Sequence, residues 1–169
     1  GQLEEVWSSP TAQALLMLVR PRDAAEGVHR LLFNNDTLIS EGRFVLARSD
    51  IFWSQDGSSF AARLQVTEDG KTRERLVSPT EDREFGESVH VQEALVSDAG
   101  GIQAVIVHDG MWDQPIVRGR RLTAVPLAWN LHADPDGAIV WNTVHDDLIL
   151  KWVDRTHLKA RTARYATTR

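Results

Sequence analysis

A chain of 169 residues, 42% of them hydrophobic and without cysteine, is long enough for a real core but has no disulfide, Cys-based zinc site or thiol nucleophile. Its net charge of −5 gives no general attraction to nucleic acid, so no nucleic-acid partner is expected. No apolar run approaches the roughly 18 residues of a membrane span, so no membrane span is expected, and no basic-then-apolar leader stands at residue 1. A soluble, virion-associated or extracellular protein is expected in preference to a cytoplasmic one.

Residues 1–8 read as a polar arm. The block Leu15-Leu16-Met17-Leu18-Val19 is continuous, short and ends at Pro21, which predicts a buried strand. Residues 23–32 admit either a short helix, capped at Asp23 with Glu26 at its third position, or a strand. Asn35-Asp36-Thr37 matches a glycosylation sequon, which matters only in a secreted eukaryotic protein.

From Arg43 the pattern alternates as strands do. A hairpin about Asp56-Gly57 sets Trp53 opposite Phe60 and Ile51 opposite Ala62, apolar against apolar. A two-residue loop at Asp69-Gly70 would set Arg73 opposite Val66 and Arg75 opposite Leu64. That conflict predicts a bulged three-residue loop, with Leu76 opposite Leu64, or no direct pairing. Residues 78–88 read as a charged loop.

The next stretch organises the chain. Val89–Val96 and Ile102–Val107 are rich in β-branched residues and flank Ser97-Asp98-Ala99-Gly100-Gly101, a turn sequence. They predict a central hairpin, apolar on both faces of its second strand. Met111 to Pro115 reads as irregular, and an apolar strand over 122–131 is broken by Pro126. Strands at 138–141 and 148–153 follow the turn Asp134-Pro135-Asp136-Gly137. The expected fold is an all-β antiparallel sandwich of about ten short strands, with at most one or two short helices near the N-terminus. Residues 1–154 form its single domain and 155–169 a basic tail. No period of 20 to 50 residues stands out, which argues against a solenoid or propeller.

Two segments resemble the concanavalin-like, laminin-G-like jelly rolls. Leu15 to Pro21 is similar to that family's early strand ending in a Val-x-Pro corner. Val89-His90-Val91, Asp98-Ala99-Gly100-Gly101-Ile102 and Val107-His108-Asp109-Gly110 are similar to its central hairpin. Ser88, Val89 and His90 stand where the family has Trp-His-His, and no ligand residue carries over. The resemblance implies sugar binding, adhesion or a structural module.

Candidate sites follow from residue chemistry. Trp53, Trp112, Trp129 and Trp141 are candidate ligand contacts, since indole suits both cores and binding surfaces. Asp134, Asp136, Asp146 and Asp147 could give oxygen ligands to calcium, though no Glu completes an EF-hand loop. His132-Ala133-Asp134 has the spacing of two legs of a facial triad, with His145 or His157 as third, but a tight turn sets His132 opposite Trp141. His90 and His108 share the central hairpin. No resident cofactor is otherwise expected, and no nucleophile motif or phosphate-cradling glycine loop is present.

The tail carries Arg155, Lys159, Arg161, Arg164 and Arg169 and no acid, against net −10 on residues 1–154. A basic arm on an acidic body docks on acidic neighbours, including another copy of itself, and its ordering is expected to come from such a partner. The function expected is a non-catalytic module acting by surface contact, a structural or attachment component of a viral or extracellular assembly, in a homo- or hetero-oligomer. A glycan-binding module and a small β-barrel enzyme are the alternatives.

Overall fold

A computed structural model describes residues 1–145, 148–154 and 161–166, with backbone alone for 145, 148 and 161–166. The fold is all-β and antiparallel, and a 3-10 turn at Arg48–Asp50 is the helical element among the described residues.

Among the described residues, sixteen strands make four sheets, each a four-stranded meander in chain order. The first holds β1 (Gln2–Ser8), β2 (Leu15–Arg20), β3 (Val28–Phe33) and β4 (Thr37–Arg43). The second holds β5 (Ile51–Trp53), β6 (Phe60–Glu68), β7 (Lys71–Val77) and β8 (Asp82–Glu84). The third holds β9 (His90–Val96), β10 (Ile102–His108), β11 (Asp113–Val117) and β12 (Arg120–Arg121). The fourth holds β13 (Ala128–Ala133), β14 (Ile139–His145), β15 (Leu148–Asp154) and β16 (Arg161–Ala166). A jelly roll needs Greek-key returns that put non-sequential strands side by side. The consecutive order in every sheet departs from that resemblance.

The chain divides into two compact units, Gly1–Glu87 with Val96–Ile102, and Ser88–Leu95 with Gln103–Arg169. In the first, Trp7, Leu16, Leu18 and Leu31 of the first sheet pack with Phe60, Ala62, Leu64 and Val77 of the second. In the other, Ala104, Ile106 and Val117 of the third sheet pack with Ala128, Ile139 and Trp141 of the fourth. Each unit is therefore two antiparallel sheets around one apolar core.

A repeat absent from the residue pattern is present in the backbone. The four sheets open with closely similar turns, whose closing bond spans five residues in the first two and four in the last two. Ser9, Ser54, Ser97 and Asp134 each donate their N–H across the hairpin, to Ala14, Ser59, Gly101 and Ala138 carbonyls at 2.8–2.9 Å. Three residues on, the N–H of Ala12, Gly57, Gly100 and Gly137 returns to that first residue's carbonyl at 2.8–3.0 Å. Those four residues all have positive φ, of 57°, 76°, 89° and 79°. The interval between turns is about 40 residues, so the expectation of no period in the range of 20 to 50 is corrected at the level of structure. The sequences S-P-T-A, S-Q-D-G, S-D-A-G and D-P-D-G share little because the turn constrains backbone donors and one left-handed residue.

Three turns, all in the first unit, lean on one another. Thr11 Oγ1 donates to the Asp56 carbonyl at 2.8 Å, and Ser58 Oγ to the Asp98 carbonyl at 3.1 Å. A Cβ on Gly57 would stand 2.2 Å from Thr11 Oγ1, so only glycine admits this approach.

Several local expectations hold. β9 and β10 are hydrogen-bonded neighbours. Trp53 faces Phe60 in register, ring centroids 6.0 Å apart, though the loop runs Ser54–Ser59 and not two residues. Others are corrected. The polar arm is β1, because its backbone pairs with β2 whatever its side chains do. The helix alternative for 23–32 gives way to a turn and β3.

Asp69-Gly70 is a two-residue loop after all, with Asp69 and Gly70 at φ 51° and 76°, Val66 opposite Arg73 and Leu64 opposite Arg75. The arginines are tolerated because β8, inside the segment read as a loop, brings Asp82 to Arg75 and Glu84 to Arg73. His132 opposes Val140, not Trp141, because β13 is irregular between Trp129 and His132.

Candidate functional site: the outer face of the first sheet

The first sheet has apolar residues on both faces. Trp7, Leu16, Leu18 and Leu31 point into the core, so period-two alternation sends their neighbours outward. Val6, Met17, Leu32 and Leu38 are successive cross-strand partners, one per strand, and make an apolar rank straight across that outer face. Val6 is 48% and Leu38 52% exposed; Met17 and Leu32 are half-buried between them. A second rank runs Leu3, Val19, Arg30 and Glu41. Leu15 stands beyond the first rank, on the same face as Met17.

The polar residues of this face satisfy one another. Arg30 donates to Glu41 at 2.8 Å and 3.3 Å, and that contact raises the guanidinium's pKa above its ordinary value. A groove of about 590 Å³ lies here, lined by Val19, Leu32, Arg30 and Glu41, by Gly1 and by the Pro21–Ala24 loop. The arrangement can bind apolar surface over the first rank and hold it in register with opposite charges at one end.

The expected site residues fall differently. Of the four tryptophans, Trp141 is buried in the second unit's core, stacked on Trp152 with centroids 6.4 Å apart. Trp53 packs half-buried against the first core and Trp129 is half-buried. Trp112 is the exposed one, 42% accessible on the turn between β10 and β11. Asp109 accepts the N–H groups of Trp112 and Met111 there, and those bonds lower its carboxyl pKa.

Asp134 and Asp136 sit on one hairpin turn, while Asp146 and Asp147 lie outside the described residues. No three metal-ligating side chains converge among the described residues. His132 donates its Nδ1–H to the Asn130 carbonyl at 2.8 Å and stands 3.6 Å from Asp134; of the two candidate third legs, His157 and the side chain of His145 both lie outside the described residues. His90 opens β9 and His108 closes β10. In the tail, Arg161 and Arg164 belong to β16, whose backbone pairs with Val153 and Leu150 of β15, so residues 161–166 are held in the chain's own fourth sheet and the expectation that a partner orders them is corrected there. Arg155, Lys159 and Arg169 lie outside the described residues.

Two polar devices were not anticipated. Asp113, 1% exposed, meets His108 Nδ1 at 2.7 Å and accepts the Ala128 N–H at 2.7 Å, tying the third sheet to the fourth within the second unit. Glu93 accepts the N–H groups of Asn130 and Leu131 at 2.9 and 2.6 Å, where Asn130 has positive φ and β13 is irregular. Both carboxylates are committed to backbone donors, which is a structural use. No helix among the described residues is long and apolar enough to cross a membrane. No family model matches this chain, and no curated protein matches it in sequence.

Proposed function

We propose that this chain is a non-catalytic β-sandwich module that works by surface contact, as a structural or attachment component of a larger assembly. The observation that carries the reading is the apolar rank Val6, Met17, Leu32 and Leu38 on a sheet face left open to solvent. Sheets that are apolar on both faces are ordinarily covered on both, and a contiguous exposed apolar face marks a contact surface. The basic residues of the tail are a second contact element, suited to an acidic neighbour in a virion or outside the cell.

The test places a photoreactive residue at position 38, and at exposed Thr123 as control, in the cells that make the protein. A defined protein adduct at 38 and none at 123 is the expected result. No protein adduct at 38 would sink the reading.

A second reading, contact with a glycan, is supported by Trp112 on its Asp109-capped turn. An exposed indole packs on a sugar ring's C–H face while a neighbouring carboxylate accepts its hydroxyls. Glycan-induced quenching lost in Trp112→Ala would support it. Equal responses in the variant and the native protein would refute it.

A further inference from the structure

We propose that the partner of the first sheet's outer face is the same face of a second copy of this chain, in a two-fold dimer. The inference rests on the contact reading above and names its partner. Four of the eight large exposed hydrophobics, Leu3, Val6, Leu15 and Leu38, stand on this face. The other four stand outside the strands, Met111, Trp112 and Leu127 in loops and Val45 at an isolated bridge to Gln65 of β6.

Among the described residues, then, the chain exposes one apolar sheet face. A second copy offers the same apolar rank, so a two-fold contact sets apolar residues against apolar residues. Within each unit this chain already packs sheet on sheet with apolar ranks between.

The charges agree with a self-complementary contact. Arg30 and Glu41 are adjacent on the face, and Arg22 and Asp23 adjoin at the groove. Each copy therefore presents a face on which both signs are already balanced by the Arg30–Glu41 pair, and a two-fold contact, which brings residue i to j and j to i, meets no patch of a single sign. A face of one sign would repel its copy.

Size sets the strength. Four strands at about 4.8 Å spacing and seven residues at about 3.4 Å rise make a face of roughly 450 Å² per copy. The pair covers roughly 900 Å², small for a specific interface, which predicts a weak, reversible dimer.

The experiment is sedimentation velocity from 5 to about 500 µM on the native chain, on Leu38→Lys and on Val45→Lys, a control exposed outside the first sheet. Mass should double with concentration in the native chain and in Val45→Lys. It should stay monomeric in Leu38→Lys, with circular dichroism unchanged in all three. Because the chain has no cysteine, Met17→Cys reports contact directly. Met17 is central on the face, so it should form a disulfide dimer on mild oxidation where Val45→Cys does not.

A native chain monomeric throughout, or a Leu38→Lys variant that dimerises equally, overturns the proposal. If the native chain is monomeric while position 38 still crosslinks to a different protein, the second-copy inference falls and the contact reading stands. If both fail, both fall.

Discussion

Replacing Gly57 with alanine tests whether the repeated turns are fastened to one another. Gly57 and Gly70 have the same φ of 76° and lie in the same unit. A Cβ on Gly70 meets nothing within 4 Å, whereas one on Gly57 meets Thr11 Oγ1 at 2.2 Å and Ser9 Oγ at 3.1 Å. Gly70→Ala therefore reports the left-handed backbone alone, about 1 kcal/mol. Gly57→Ala adds the displacement of Thr11. That costs its hydroxyl bond to the Asp56 carbonyl, about 1 kcal/mol, and repacking of about 1–3 kcal/mol. The expected difference between the variants is about 2–4 kcal/mol. Urea unfolding followed by Trp fluorescence, with slopes compared so that a changed unfolded state is recognised, measures it. Equal losses in both variants would refute the idea that turn-to-turn contact carries stability.

Ala12 holds the left-handed position of the first turn without being glycine. Ala12→Gly should therefore be neutral or stabilising by up to about 1 kcal/mol, and a loss in thermal midpoint would contradict the assignment of strain. Ser58, above all, and the Ser54 hydroxyl hold the Asp56 carboxyl down to about 2 from 3.8. A lowered folded value means its contribution is complete above about pH 4 and is lost as pH falls toward 2. Urea midpoints of Asp56→Asn should accordingly fall less steeply than the native ones over that window. The ion pair of Asp50 and Arg63 is buried, with side chains 7% and 13% exposed. Arg63→Ala should cost about 3–5 kcal/mol by stranding Asp50, and adding Asp50→Ala should cost less than the sum; additive losses would show that the two are not coupled.

Where side-chain alternation and turn chemistry agreed, the fold was legible. The central hairpin and the Trp53–Phe60 pairing followed from β-branched runs and from apolar partners counted outward from a turn. Register is robust there because lengthening the loop symmetrically leaves the pairing intact. Charge misled the reading at Asp69-Gly70. Two arginines looked intolerable on an apolar face, and their neutralising partners Asp82 and Glu84 lay in a stretch too polar to read as a strand. The repeat was illegible because a turn defined by backbone donors and one left-handed residue accepts Ala12 as well as Gly57, Gly100 or Gly137. The candidate contact face left only an ambiguous trace. An unbroken block such as Leu15 to Val19 reports a sheet apolar on both sides, and it reads the same whether the second side is covered within the chain or left open.

The order in which the first unit can close is written in its division of the chain. Its contacts include Val96–Ile102, whose turn supplies the Asp98 and Gly100 carbonyls to Ser58 and Thr80 and the Ile102 N–H to Glu81. A polypeptide emerging from the ribosome with residues 1–87 complete still lacks these partners. Synthesis must run through β9, a strand belonging mostly to the second unit, before the first can finish. A nascent chain arrested with residue 87 outside the exit tunnel should therefore stay protease-sensitive at Ser58 and Thr80, and gain protection only once residue 102 is clear.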